Sequence, residues 1–279
     1  MDMINRHKID ALSYLFLISF FLVTNVTQAE ETLVFSAPPR ESKENGIETY
    51  APVAKYLTQI IGKKVVYQHP GNWPSYTNKM RLNKYDFVFD GPHFVSWRIK
   101  HLNHRPAVKI PGDFVFTFVS RKNNPRINTV NDLVARKVCG HAPPNQGTLL
   151  LYNLLNNPMR QPRLITMRGW REIYNAMIEN KCEAAIIPLD IYKKLDPNRI
   201  NTKVVYMSRP ASGQAITISP SLSEEDFRKI RTALLDKKGQ LALKNLQSRF
   251  ASSPLIVARP SEYSGVYSLL ETSYGFDTY

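Results

Sequence analysis

Apolar and polar residues along the first third of the chain follow two repeating patterns. In residues 50–61 the apolar side chains fall at helical spacing, and Gly62 follows where a helix is expected to end. Short apolar runs at 31–36 and 64–68 flank this segment and are typical of strands. A second helical pattern at 73–82 leads to a third apolar run at 86–89. This order of elements predicts a mainly parallel sheet with helices on both faces.

The same order recurs in the second half of the chain. A β-forming run at 114–120 is entered through Pro111-Gly112, and a new series of strands and helices follows it. Helices at 224–237 and 241–250 end the pattern. The predicted fold is therefore α/β, with two similar lobes joined by two crossings of the chain. The remaining predicted elements are a short helix at 131–133, strands at 137–140, 163–167, 182–189, 203–207 and 214–218, and helices at 148–156 and 170–180.

A turn that contains glycine, proline and two ionisable residues follows the third strand. Asp90, Gly91, Pro92 and His93 place a carboxylate, a permissive glycine, a fixed φ angle and an imidazole at the carboxyl end of that strand. In open α/β sheets, ligands bind at this position. The alternative interpretation is a strand-to-helix loop with ordinary turn chemistry.

The first 29 residues resemble an export signal. Arg6, His7 and Lys8 precede an apolar run at 11–26, and Thr27-Gln28-Ala29 has the small-residue pattern of a cleavage site. We expect residues 1–29 to be a cleavable signal peptide and the mature protein to be periplasmic. The alternative is an uncleaved membrane anchor, although the polar residues in the run make it short for a span.

The net charge of the chain is +14, and it stays at +14 after residues 1–29, which hold two basic and two acidic residues, are removed. Such a field concentrates anions near the surface. The basic residues occur singly or in pairs, without the interleaved aromatics of an RNA-binding module, so nucleic acid is not an expected partner.

Cys139 and Cys182 are the two cysteines of the chain. In an oxidising compartment we expect them to form a structural disulfide. Their spacing fits no paired Cys or His pattern of a zinc site.

Several segments together resemble the phosphate-, phosphite- and phosphonate-binding proteins of ABC importers. The resemblance extends over most of the chain after Glu31, and its motifs are moderately specific singly but occur in the family's order. They are Ala37-Pro38-Pro39-Arg40, the helix starting near Tyr50, Gly62-Lys63-Lys64-Val65, residues 85–97 and residues 186–192.

The resemblance implies a hinged, two-lobe periplasmic binding protein that closes over a small anionic or polar ligand and delivers it to an inner-membrane ABC permease. It implies neither catalysis nor a cofactor, and we expect a monomer. Residues 30–112 with 208–279 would form the first lobe, residues 113–207 would form the second, and the crossings would be the hinge.

Carried over by position, the family's site falls on residues of both lobes. Tyr50 matches an aromatic hydroxyl at the start of the first helix, and Asp190 matches an acidic residue across the cleft, with a helix cap as its alternative role. Trp73 and Tyr76 are placed to line the cleft, although core packing is the commoner role of large aromatics. The predicted ligand-binding residues are Ser36, Tyr50, Trp73, Tyr76, Asp90, Gly91, His93, Asn145, Gln146, Gly147, Thr148 and Asp190.

The loop at residues 142–148 departs from the family. There the family has a Ser/Thr-rich loop that, with the amide groups of the following helix, surrounds the phosphonate oxygens. Pro143 and Pro144 have no N–H to donate, which weakens an anion site of this type. The departure predicts a ligand other than a simple alkylphosphonate.

Two other interpretations remain open. Arg40, Arg168 and Arg209 follow strand ends or crossings and are candidates for an anion clamp, with a solvated surface role as the alternative. A periplasmic sensor, or a metal-binding protein that uses His93, His101 and His104, could be built on the same hinged fold.

Overall fold

The structure, a computed structural model, describes residues 32–251, 253–271, 273 and 276. The predicted signal peptide at residues 1–29 lies outside these residues. The described strands form a six-stranded sheet, a five-stranded sheet and a two-stranded ribbon. Among the described helices, none combines the length and the apolar character that crossing a membrane requires.

The described strands are β1 (Leu33–Ser36), β2 (Val65–Tyr67), β3 (Phe87–Asp90), β4 (Arg105–Lys109), β5 (Asp113–Phe114), β6 (Phe116–Arg121), β7 (Lys137–Gly140), β8 (Arg163–Thr166), β9 (Ala184–Pro188), β10 (Thr202–Met207), β11 (Ala211–Ser212), β12 (Ala215–Ile218) and β13 (Ile256–Val257). The described α-helices are α1 (Lys43–Ile61), α2 (Trp73–Arg81), α3 (Pro92–Leu102), α4 (Gln146–Leu155), α5 (Trp170–Ile178), α6 (Leu189–Leu195), α7 (Glu224–Leu235), α8 (Lys237–Ala242), α9 (Lys244–Phe250) and α10 (Ser268–Glu271). Short 3-10 helices cover Val130–Leu133, Pro158–Arg160 and Pro260–Tyr263.

The six-stranded sheet has the order β13-β4-β12-β3-β1-β2 and is the centre of the first lobe. β1, β2, β3 and β4 run in one direction, and β12 and β13 run in the other. Helix α1 begins at Ser42, whose hydroxyl accepts from the Asn45 amide, and ends at Gly62 with φ of 70°. Strands β1, β2 and β3 are parallel, so they end at the same edge of the sheet, and each is followed by a helix.

Alternate residues of β3 pack on opposite faces of this sheet, as strand geometry requires. Phe87 and Phe89 join a core with α1 and α7, whereas Val88 joins a second core under α2 and α3. The continuous apolar run of β3 is thus explained by burial on both faces.

The five-stranded sheet, with the order β10-β6-β9-β7-β8, is the centre of the second lobe. β7, β8 and β9 are parallel, and β6 is antiparallel to both β9 and β10. Helices α5 and α6 cover one face around Ile187, and α4 covers the other around Ile186. Each lobe is therefore a mostly parallel sheet flanked by helices.

Cys139 and Cys182 form a disulfide inside the second lobe. Their Cα atoms are 5.7 Å apart, Cys139 lies in β7, and Cys182 lies two residues before β9. The predicted pairing is confirmed.

The two crossings between the lobes are hydrogen-bonded to each other. β5 and β11 pair antiparallel, with Ala211 opposite Phe114 and Ser212 opposite Asp113. Gly213 follows directly, and a Cβ added there would lie 2.0 Å from the Ile110 carbonyl oxygen, so the close approach of the two crossings requires glycine. We call β5, β11 and Gly213 the hinge ribbon.

Two local features differ from the predicted elements. Strand β4 has no counterpart among them, and it carries Pro106 beside a register shift at which Ala107 of β4 is the extra residue opposite Ile216 and Thr217 of β12. The helix predicted at 224–237 ends at Leu235, because the Asp236 side chain accepts from the Gly239 amide and starts α8.

The disulfide generates a stability prediction. Replacing both Cys139 and Cys182 by alanine should lower the free energy of unfolding by up to about 4 kcal/mol, because the bond closes a long loop of the unfolded chain. Urea unfolding of the oxidised protein and the variant measures the difference. The reduced wild type is the control and should match the variant, and equal midpoints for the oxidised protein and the variant would contradict the prediction.

Candidate ligand-binding site

Asp90, at the carboxyl end of β3, lies in a buried polar network with Tyr76 and Arg98. The Arg98 Nε donates to Asp90 Oδ2 at 2.9 Å, and the Tyr76 hydroxyl lies 2.5 and 2.6 Å from the two carboxylate oxygens. Arg98 Nη2 donates to the Tyr76 oxygen at 2.8 Å. All three side chains are fully buried. Asp90 and Tyr76 therefore lie beneath the site surface and hold the loop after β3 in place.

His93 contacts the second lobe directly. Its Nε2 lies 3.0 Å from the Pro144 carbonyl oxygen, which can only accept, so Nε2 carries the proton. Burial is the main reason, and the charge of Arg40 a smaller one, why the pKa of His93 falls to about 4. His93 is therefore neutral at neutral pH and joins helix α3 of the first lobe to the loop before α4 of the second.

The start of α4 uses much of its hydrogen-bonding capacity within its own loop. The Asn145 side chain caps the helix by accepting from the Gly147 amide at 3.0 Å, and the Thr148 hydroxyl donates to the His141 carbonyl at 2.6 Å. Gly147 is packed so closely that an added Cβ would lie 2.5 Å from Phe116. Gln146 is buried beside His93. The Gly147 amide and the Thr148 hydroxyl, which were expected to donate to a bound anion, thus already donate to acceptors within the protein.

The remaining predicted residues fall in different places. Ser36 is buried and donates to the Gln68 carbonyl, and Tyr50 is buried and donates to Glu41 Oε1 at 3.2 Å. Trp73 is half-buried and stacks on Phe94.

Gly91 and Asp190 complete the predicted set. Gly91 is buried against His93, whose ring carbon would lie 3.2 Å from an added Cβ. Asp190 is exposed in the first turn of α6, and its carboxylate has no hydrogen bond or ion pair with another described side chain. The structure therefore brings together Tyr76 with Asp90, and His93 with the loop before α4, and leaves Asp190 apart from both.

Arg40, one of three arginine candidates in the sequence, lies over Phe89 near the end of β3. Its Nη1 donates to Gln214 Oε1 at 2.5 Å, and its guanidinium lies 4.8 Å from the centre of the Phe250 ring. Arg168 and Arg209 are exposed, and neither side chain makes a hydrogen bond or ion pair with the described residues. What distinguishes Arg40 from the other two arginines is therefore its tertiary contacts, because Gln214 and Phe250 are remote from it in sequence.

The histidines proposed for a metal site do not converge. His104 Nε2 faces the Asn83 side chain at 2.8 Å, His101 packs on Trp97, and His93 faces Pro144. Within residues 32–251, 253–271, 273 and 276 no group of His, Cys, Asp or Glu is arranged to hold a metal ion. This geometry gives no support to the metal-binding interpretation.

The two sheets, the hinge ribbon and a polar site between the lobes define a two-lobe binding-protein fold. Among solved structures, the chain is similar to the XAC2383 protein of Xanthomonas citri bound to ATP, with 13% identity, 88% of this chain and 96% of that chain covered, and a TM-score of 0.68. It is also similar to PhnD1 of Prochlorococcus marinus in complex with methylphosphonate, with 14% identity, coverage of 87% and 98%, and a TM-score of 0.63. A binding protein component of an ABC phosphonate transporter from Pseudomonas aeruginosa has 16% identity, coverage of 86% and 85%, and a TM-score of 0.60.

The family is shown by sequence. Residues 35–263 match the profile of the periplasmic substrate-binding proteins of phosphonate ABC transporters. The chain belongs to this family, whose members bind solutes and are not enzymes. A sequence comparison with curated proteins finds no match.

The buried network generates a second prediction. Asp90→Asn should lower the free energy of unfolding by about 3–5 kcal/mol, because Arg98 is left as a buried charge without its counter-ion. Urea unfolding measures the loss. The control is Glu225→Gln, which breaks the exposed pair with Lys229 and should barely move the midpoint. An Asp90→Asn midpoint equal to the control's would contradict the prediction.

The pKa of His93 generates a third prediction. Folding lowers this pKa from 6.5 to about 4, so between these values the unfolded chain binds a proton that the folded chain does not. Stability is therefore full above pH 6.5 and is lost as the pH falls toward 4. His93→Gln should remove up to about 3 kcal/mol of this loss.

The measurement is urea unfolding of wild type and His93→Gln at about pH 7 and about pH 4.5. Part of the acid sensitivity should persist in the variant, because burial lowers the pKa of His104 to about 2. Identical pH profiles for the two proteins would show that His93 does not carry the effect.

Proposed function

We propose that this protein captures a small anionic solute in the cleft between its lobes and delivers it to an ABC permease in the inner membrane. Residues 30–112 with 208–279 act as the first lobe, and residues 113–207 act as the second. The protein works as a monomer, and the hinge ribbon provides the axis of closure. Family membership and the net charge of +14 support an anionic solute.

The ligand is an anion other than a simple alkylphosphonate. The start of α4 carries this conclusion, because the Gly147 amide and the Thr148 hydroxyl already have partners in their own loop. Pro143 and Pro144 contribute no N–H groups, so the second lobe has few donors left for three phosphonate oxygens. Methylphosphonate and ATP, seen in two proteins of similar fold, mark the range of sizes to be tested.

The contact between His93 and Pro144 supports closure as the functional motion. It joins the lobes through a neutral hydrogen bond, at 3.0 Å, and beside it Leu149 of α4 packs into the apolar core of the first lobe with Phe94 and Trp97. Neutral hydrogen bonds of this kind contribute only about 1 kcal/mol. We expect the hydrogen bond and the Leu149 contact to favour approach of the lobes and to be broken when a solute enters or leaves.

The fourth prediction concerns ligand choice. Isothermal titration with phosphate, phosphite and methylphosphonate should give dissociation constants above about 1 µM, because the donors at α4 are already hydrogen-bonded within their own loop. Protein that has been unfolded and refolded should be used, so that a carried-over solute does not block the site. Binding of methylphosphonate at micromolar affinity or tighter would contradict the proposed ligand choice, and such binding of phosphate or phosphite would contradict the argument that too few donors remain at α4.

The transport role has its own test. Solute released by denaturing the protein isolated from native periplasm should be identifiable by mass spectrometry, and deletion of the gene should abolish uptake of that solute. Unchanged uptake after deletion would contradict the importer role and favour a sensor built on the same fold.

A further inference from the structure

Arg40 is an arginine whose neighbouring carboxylates already have other cationic partners. Glu41 pairs with Arg249, with Nε and Oε1 3.3 Å apart, and also accepts from Tyr50. Asp90 pairs with Arg98 at 2.9 Å. Arg40 itself forms no ion pair with any described residue, so its positive charge has no fixed counter-ion in this part of the chain.

The guanidinium of Arg40 is nevertheless held in one orientation. Nη1 donates to Gln214, and the guanidinium carbon lies 4.8 Å from the Phe250 ring centre and 5.7 Å from that of Phe89. Such cation–π contacts stabilise a guanidinium and leave its edge free. Of its five N–H donors, four have no acceptor among the described residues. A pre-oriented edge of this kind fits two oxygens of an oxyanion.

Arg40 is also enclosed by the protein while remaining open to solvent. Its side chain is exposed. Desolvation by the surrounding protein is the largest single influence on its pKa and lowers it. The nearby acidic groups of Tyr50, Glu41, Asp90 and Tyr76 together raise the pKa by more, so the net shift is upward. Arg40 therefore stays charged while its side chain is open to solvent.

Arg40 lies at the carboxyl edge of the first sheet. Arg40 follows β1 and packs on Phe89 at the end of β3, so it is at the sheet edge where α/β proteins bind ligands. Gln214 connects it to the hinge, since the Gln214 carbonyl accepts from the Ile110 amide at 2.8 Å. The charge of Arg40 also acts on His93, which contacts the second lobe.

We propose that Arg40 anchors the anionic group of the solute, so that this site binds an oxyanion from the first lobe through a bidentate contact with the guanidinium. The inference rests on the proposed solute-binding function. Gln214 and Phe250 position the guanidinium, and the oxyanion supplies the missing counter-charge. The anchor is thus on the lobe opposite α4, whose donors are partly committed to their own loop.

The test measures binding of defined oxyanions to variants of Arg40. Phosphate, methylphosphonate and ATP form the phosphoryl arm, and acetate and succinate form the carboxylate arm, so the two sources of an oxyanion are distinguished. Titrations should extend to millimolar concentrations. For the anion that wild type binds most tightly, Arg40→Met should weaken binding on the order of 100-fold.

Arg40→Lys keeps the charge but loses the two-pronged geometry, and it should weaken binding on the order of 10-fold. The matched control is Arg209→Met, which removes an exposed cation whose side chain has no hydrogen bond or ion pair with the described residues, and it should bind as wild type does. Unfolding midpoints of the variants verify folding, and a purely structural role for Arg40 would not produce the graded loss from lysine to methionine.

Two outcomes overturn the inference. If Arg40→Met binds the anion as tightly as wild type, the anchor is wrong while the solute-binding function stands. If wild type binds no oxyanion of either arm, the inference is also wrong, and the solute released from native protein then decides the proposed function separately.

Discussion

The buried ion pair between Asp90 and Arg98 is the constraint on which the site depends. Removing two charges from water is costly, and the cost is offset only where geometry and further hydrogen bonds are good. Here the Tyr76 hydroxyl contacts both carboxylate oxygens and accepts from Arg98. The pair ties the end of β3 to helix α3, and between them lies the turn that carries His93.

This constraint explains why the first lobe has a rigid wall. Gly91 and His93 are fixed between a buried network on one side and the second lobe on the other. Arg40 approaches the same edge from β1 and rests on Phe89, the residue before Asp90. The charged groups near the cleft are thus arranged so that the carboxylates are satisfied internally and the guanidinium of Arg40 is not.

Most of the fold could be predicted from sequence because periodicity and element order are local signals. The runs at β1, β2 and β3 and the spacing of α1 were sufficient for a mainly parallel sheet. Strand β4 was not among the predicted elements, and its pairing with β12 around Pro106 depends on a register shift that no local pattern shows. The site was less predictable. Asp90 follows a strand at the ligand-binding edge, but its partner Arg98 lies one helix further on, and no local pattern indicates that the carboxylate turns inward. Arg40 could not be distinguished from Arg168 and Arg209 by local pattern either, because what sets it apart is contact with residues about 170 to 210 positions away.

The hinge ribbon has a mechanical consequence. Two independent strands between lobes would allow bending about several axes and twisting of one lobe on the other. Because β5 and β11 are hydrogen-bonded side by side and Gly213 brings their backbones into contact, the two connections must deform together. Twisting of one lobe on the other would strain this pairing more than bending both connections together would. In the closure proposed above, the two walls of the cleft therefore approach each other along a narrower set of paths than two unpaired connections would allow.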